Sequence, residues 1–140
     1  MNNLSGRILA VDPGEKHIGI AISDESATLA RPLMVIDHVS MKLDAAQIAQ
    51  TAAEKGVTRI IVGLPTGEKG KEIPQSRHAK KLIEAIQNQS SIEVEGWDEW
   101  GTTQAARSVL VEVGVQRSKR GGHQDALAAA AILRSYLEAK

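Results

Sequence analysis

The sequence predicts an α/β domain built on a mixed five-stranded sheet, three antiparallel strands followed by two parallel ones, with helices packed on its faces. Three observations predict it. Ile18, Ile20 and Ile22 alternate as in a strand, whereas Ala45, Ile48, Ala49 and Ala52 recur at helical spacing. Strand and helix patterns then alternate to the end of the chain, the order that βαβ crossovers and a parallel pair require. The 140 residues are 42% hydrophobic, enough for one core without disulfides or a structural metal.

Each element has its own local signal. Ile8 to Val11 is a short apolar run stopped by Asp12-Pro13-Gly14, a turn signal. His17 to Ser23 alternates, and the short glycine-bearing link makes the two strands a hairpin. A third strand is expected over Leu33 to Val39, because Pro32 suits a strand start and not its middle. Asp44 to Lys55 reads as a helix stopped by Gly56. Arg59 to Leu64 is a buried-strand pattern rich in β-branched residues. A helix is expected from Pro74, at home in a first turn, to Gln89. Ile92 to Trp97 is the last strand and Thr102 to Val113 a helix. A basic loop, Val115 to Gly122, leads to a helix over His123 to Ala139.

Composition excludes several classes of function. Seventeen Lys and Arg balance seventeen Asp and Glu, so a nucleic-acid site must come from local clustering and not from bulk charge. With no Cys there are no zinc ribbons or thiol nucleophiles, which fits a reducing compartment. Trp97, Trp100 and Tyr136 are the only aromatics of their class, too few for a platform that stacks single strands. Met1 to Arg7 lacks the apolar run of a signal peptide, and the longest apolar stretch, Ala126 to Leu133, is far shorter than a membrane span. The expectation is a cytoplasmic protein with no membrane partner, with a homodimer left open.

Acids at strand and helix ends carry the candidate chemistry. Asp12 follows the first strand, beside Gly14, where a phosphate can come close; the same string also fits a plain hairpin turn. Asp98 and Glu99 follow the last strand, Asp98 on the face of Ile92 and Val94 and Glu99 on that of Glu93 and Glu95. Asp125 opens the final helix, where the helix dipole alone favours an acid. Its i+4 and i+7 neighbours, Ala129 and Ile132, instead turn it toward the sheet. Carboxylates without His or Cys suit Mg²⁺ or Mn²⁺, the ions used in phosphodiester hydrolysis. Asp12, Glu99 and Asp125 are the candidate catalytic and metal-binding set, with Asp98 in reserve.

Basic residues supply the other half. Lys69 and Lys71 lie between the fourth strand and the helix after it, Arg77 lies in the first turns of that helix, and Arg117, Lys119 and Arg120 form a loop free of acids. These are the candidate contacts to a nucleic-acid backbone, and a solvated helix face accounts equally well for Lys80 and Lys81. Gly14, Gly63 and Gly70 are the candidate points of close backbone approach. His17, His38, His78 and His123 have no metal spacing and read as surface or packing residues, with His123 the exception for its closeness to Asp125. Gly63 to Gly70 is not a P-loop, since no Gly-Lys-Ser/Thr follows.

These motifs, in this order, resemble the YqgF/RuvX family of Holliday junction resolvases and pre-16S rRNA nucleases. The resemblance rests on Val11-Asp12-Pro13-Gly14 with Ile18-Gly19-Ile20-Ala21, then Ala30-Arg31-Pro32-Leu33 and Ile61-Val62-Gly63-Leu64-Pro65 with Gly70. It continues through Asp98-Glu99 with Thr102-Thr103 and Ala106-Arg107, and closes on Asp125 to Ala129, Ile132-Leu133 and Ser135 to Leu137. It implies one ribonuclease H-like nuclease domain over residues 1–140, with the family's acids on Asp12, Glu99 and Asp125. It implies a metal-dependent endonuclease using Mg²⁺ or Mn²⁺ on structured nucleic acid, either branched DNA or the precursor of small-subunit rRNA. Trp100 stands where the family reads arginine, and Gly67, Lys69 and Ala105 also depart from its pattern. A second reading is therefore a nucleic-acid-binding accessory of ribosome maturation or recombination with weakened catalysis. A third, a phosphate-transferring enzyme of the actin and sugar-kinase type, would need a second lobe that this chain lacks.

Overall fold

The structure is a computed structural model that describes residues 6–65, 71–98 and 123–140, with side chains in the last segment from Asp125 onward. The strands are β1 (Arg7–Asp12), β2 (His17–Ser23), β3 (Ala30–Asp37), β4 (Val57–Leu64) and β5 (Glu93–Asp98). The described helices are α1 (Met41–Glu54), α2 (Pro74–Gln87) and α3 (His123–Ala139). The helix expected over 102–113 and the basic loop after it lie outside the described residues.

The five strands form one sheet in the order β3-β2-β1-β4-β5. β1 and β3 run antiparallel to β2, and β1, β4 and β5 are mutually parallel, as the sequence predicts. The carboxyl ends of β1, β4 and β5 therefore meet at one edge, where the start of β2 also lies. β1 is the central strand and is buried on both faces, which is why it reads as an unbroken apolar run.

Alternation divides the core into two layers. Leu9, Val11, Ile18, Ile20, Ile22, Ile60, Val62 and Val94 pack under α1 and α2. Ile8, Ala10, Ala21 and Ile61 face α3, meeting Ala129, Ile132, Leu133 and Tyr136. The stripe that includes Ala129 and Ile132 thus turns inward, as its spacing requires.

Two boundaries differ from expectation by three residues, the other described ones by two at most. α1 begins at Met41 because the Ser40 side chain accepts from the Leu43 N–H at 3.2 Å; Asp44 sits inside the first turn, not at its start. β3 begins at Ala30 and carries Pro32 within it. This is tolerated because β3 is an edge strand and because the register shifts between Ile20 and Ala21, which pair with Met34 and Pro32. Gly56, with φ of 67°, ends α1 as predicted.

α2 starts at Pro74 and is fastened to the end of β4. The Ser76 hydroxyl accepts from the Ile73 N–H at 3.1 Å and donates to the Pro65 carbonyl. One buried side chain thereby draws together the two ends of the stretch that contains Lys69 and Lys71. α3 is tied to the far side of the sheet by Arg59, which donates to the Tyr136 hydroxyl at 3.0 Å and pairs with Glu93 and Glu95. Trp97 stacks edge-on against Tyr136, centroids 5.1 Å apart, and its indole N–H donates to Ser135 at 3.2 Å.

The β2–β3 turn is organised by Asp24, whose carboxylate accepts from Thr28 N–H at 2.8 Å, Leu29 N–H at 3.0 Å and the Ser26 hydroxyl. These donors, the Leu29 amide foremost, hold its pKa at about 2 against an ordinary 3.8. A folded pKa below the unfolded one adds stability above pH 3.8, and this is lost as pH falls toward 2. A carboxyl-carbon NMR titration is expected to place the Asp24 midpoint near 2; a midpoint near 3.8 would show that the turn does not hold its carboxylate.

Candidate functional site

Asp12 closes β1 and is 2% exposed; Asp125 lies in the first turn of α3 and is 4% exposed. Gly19 brings their backbones together. It pairs directly with Asp12 across the β1–β2 ladder. A Cβ built on Gly19 would stand 1.9 Å from the Asp125 carbonyl oxygen, so the first turn of α3 rests on bare backbone at this point. Continuing the alternation of Ile8 and Ala10, Asp12 projects toward the α3 side of the sheet. Two acids more than one hundred positions apart in sequence thus share one face and one edge.

A cleft of about 710 Å³ opens at that edge. One wall is the β1–β2 link, Pro13 to His17; the other holds Pro65 and, from α2, Gln75 and His78; Asp125 lines the space between. Gly14 is buried in the first wall, next to the acids, and Gly63 is buried near the end of β4, paired with Trp97. Gly70 lies outside the described residues.

The other predicted site residues divide as follows. Glu99, Lys69, Arg117, Lys119 and Arg120 lie outside the described residues, as does Trp100. Asp98 is exposed at the end of β5. It alternates with Val94 and Gly96, which face α2, so it lies on the face of the sheet away from Asp12. Lys71 is exposed beside the start of α2. Arg77 is exposed and shares Glu72 with Lys80, at 3.8 and 2.5 Å. The Lys80 hydrogen bond holds the Glu72 pKa below its ordinary value, and the basic cluster is partly neutralised by its own acid.

Among the described residues no three His, Asp or Glu side chains group as a metal site. Asp12 and Asp125, whose backbones Gly19 brings together, offer only oxygen donors and are withdrawn from water. Carboxylates in such surroundings suit a hard divalent cation, and the chemistry of Asp12 and Asp125 fits one.

Two groups in the cleft escaped the sequence reading. His17 lines the wall nearest the acids, its Nδ1 3.0 Å from Asp37 Oδ1. His78 lines the opposite wall, edge-on to His38 with ring centroids 6.3 Å apart, and His38 is hydrogen-bonded to buried Asp44. No spacing rule joins these residues; only the pairing of β2 with β3 and the packing of α1 against α2 do so.

Comparison with known proteins follows the same lines. The family model RuvX, described as a Holliday junction resolvase, matches residues 6–139. A protein of Symbiobacterium thermophilum named "Putative pre-16S rRNA nuclease" is 40% identical over 134 residues, covering 96% of this chain and 93% of that one. A protein of the same name from Clostridioides difficile is 39% identical over 137 residues, covering 98% and 97%. Among solved structures, Thermus thermophilus RuvC in complex with a Holliday junction substrate superposes with a TM-score of 0.60 at 17% identity, covering 96% of both chains. The large terminase nuclease of the thermophilic phage G20c does so with a TM-score of 0.60 at 9% identity, covering 96% of this chain and 83% of that one. The fold is therefore that of the RuvC-like, ribonuclease H-type nucleases. Among the described residues no helix is long and apolar enough to cross a membrane.

Replacing Gly19 by Ala is expected to cost about 1–3 kcal/mol, because the added methyl must displace the backbone of α3. Urea unfolding checks this. Wild-type stability in the variant would show that the helix does not seat there.

Proposed function

The chain belongs to the RuvX family, and from that membership we propose that it is a metal-dependent endonuclease cutting structured nucleic acid, its 140 residues acting as one ribonuclease H-like unit. The observation that carries this reading is that Gly19 brings the backbones of buried Asp12 and Asp125 together, with Asp125 lining an open cleft. Glu99, which follows β5 directly in sequence, is the proposed third ligand, the position that the family resemblance implies. Asp12, Asp125 and Glu99 would hold Mg²⁺ or Mn²⁺. The ion supplies Lewis-acid polarisation of the phosphate and a more acidic water for attack on phosphorus.

The protein's own part is to bind and orient. Lys71 and Arg77, with Lys69, Arg117, Lys119 and Arg120, are the proposed backbone contacts, their charge giving salt-dependent affinity. Ser76 ties Pro65 to Ile73, the described residues on either side of the sequence stretch that includes Lys69 and Lys71. Gly14, Gly63 and Gly70 are the proposed points of close backbone approach. The substrate we propose is precursor 16S rRNA, supported by the names of relatives about 40% identical over nearly the whole chain. Four-way DNA junctions are the second, favoured by the description of the matching family.

Asp12→Asn keeps the shape of the side chain and removes its charge. Cleavage of a precursor-rRNA hairpin and of a four-way junction with Mn²⁺ is expected to fall at least about 100-fold, beyond what altering the residues behind a metal's ligands costs. Unchanged cutting would rule out this site.

A further inference from the structure

The cleft contains a polar group that the acid pair does not use. His17 opens β2 two residues before Gly19, on the alternation that turns Gly19 and Ala21 toward α3. It therefore stands about 7 Å along the strand from the residue that faces Asp12, in the direction of the cleft mouth. Its side chain is 38% exposed and lines the cleft alongside Lys16.

Its partner lies outside the cleft. Asp37, the cross-strand neighbour of His17 at the end of β3, has a side chain 85% exposed and accepts at 3.0 Å from Nδ1. An exposed pair of this kind adds little to stability. What it does is fix the ring: with Nδ1 engaged by a carboxylate, the tautomer and plane are set and Nε2 is the remaining polar atom. The sheet carries this brace, since His17 and Asp37 are paired strand residues and not loop tips.

We propose that His17, oriented by Asp37, contacts a phosphate of the bound nucleic acid next to the bond cut at the Asp12–Asp125 site. The choice of ligand rests on the nuclease reading above. An imidazolium donating through Nδ1 to Asp37 and through Nε2 to a phosphate oxygen bridges two anions, and the arriving phosphate supplies the second. Lys16 beside it adds positive charge to the same wall. His17 is thus a substrate contact and Asp37 a positioning residue.

The test is binding without metal, so it does not depend on cleavage. Anisotropy with a labelled precursor-rRNA hairpin and a labelled four-way junction in EDTA is expected to show Kd raised about tenfold by His17→Ala, as for a lost hydrogen bond to a charged group. Asp37→Asn retains an oxygen that accepts from Nδ1 and is expected to bind as wild type does, whereas Asp37→Ala moves toward His17→Ala. A purely electrostatic role for Asp37 would make its Asn and Ala variants alike. Should His17→Ala fail to fold by circular dichroism, the imidazole NMR signals of His17 in the wild-type protein are expected to shift on adding the metal-free hairpin. An unchanged Kd for His17→Ala, a loss with Asp37→Asn equal to that with Asp37→Ala, or unmoved imidazole signals overturns the proposal. Wild-type protein that binds neither nucleic acid overturns the nuclease reading itself, whereas cutting that ignores Asp12 rules out the Asp12 site; neither result can be mistaken for failure of the His17 contact alone.

Discussion

The seat of α3 on the bare backbone at Gly19 is the contact on which the site depends. A helix is normally held off a sheet by the side chains that fill the space between. Here one missing side chain lets the first turn drop onto β2, beside the end of β1. Asp125 is then buried at the sheet edge where Asp12 emerges, instead of being presented to water from a helix end. The remaining packing of α3 keeps that seat fixed: Ala129, Ile132 and Leu133 cover Ile8, Ala10 and Ala21, and the last turns are held by Trp97 and Arg59 through Ser135 and Tyr136. Burial raises the Tyr136 pKa, and its hydroxyl accepts from Arg59.

Much of this was legible in the sequence because it is periodic. Alternation in Ile18, Ile20 and Ile22 and the helical stripe through Ala129 and Ile132 record which side of each element is buried, and the structure places them accordingly. Asp125 could be assigned to the sheet side for the same reason. What periodicity omits is the meeting of distant segments. Gly19 looks like one more small residue in a strand until a helix is laid on it. Asp37 and His17 are twenty positions apart and join only through the β2–β3 ladder. The start of α1 was misplaced because Asp44, an acid that reads as a helix beginning, is engaged by the Val39 amide and His38 while Ser40 does the capping.

Charge follows a similar division. The sequence offers a cluster of cations around α2, but Glu72 gathers Arg77 and Lys80 to itself, so position in the fold and not count decides which cations face outward. The Asp24 turn and the Ser76 bridge show the same economy: a single side chain satisfies several backbone groups and sets the path of a connection. The Ser76 bridge thereby fixes the start of α2 as one wall of an open cleft.

The proline inside β3 has a consequence for how the molecule behaves at high concentration. An outer strand normally offers a row of amide donors and carbonyl acceptors onto which another chain can add. Pro32 deletes one donor from that row, and the extra residue beside it bends the strand out of flat register. This border of the sheet is thereby a poor template for ordered aggregation, a safeguard written into the same few residues that begin the strand.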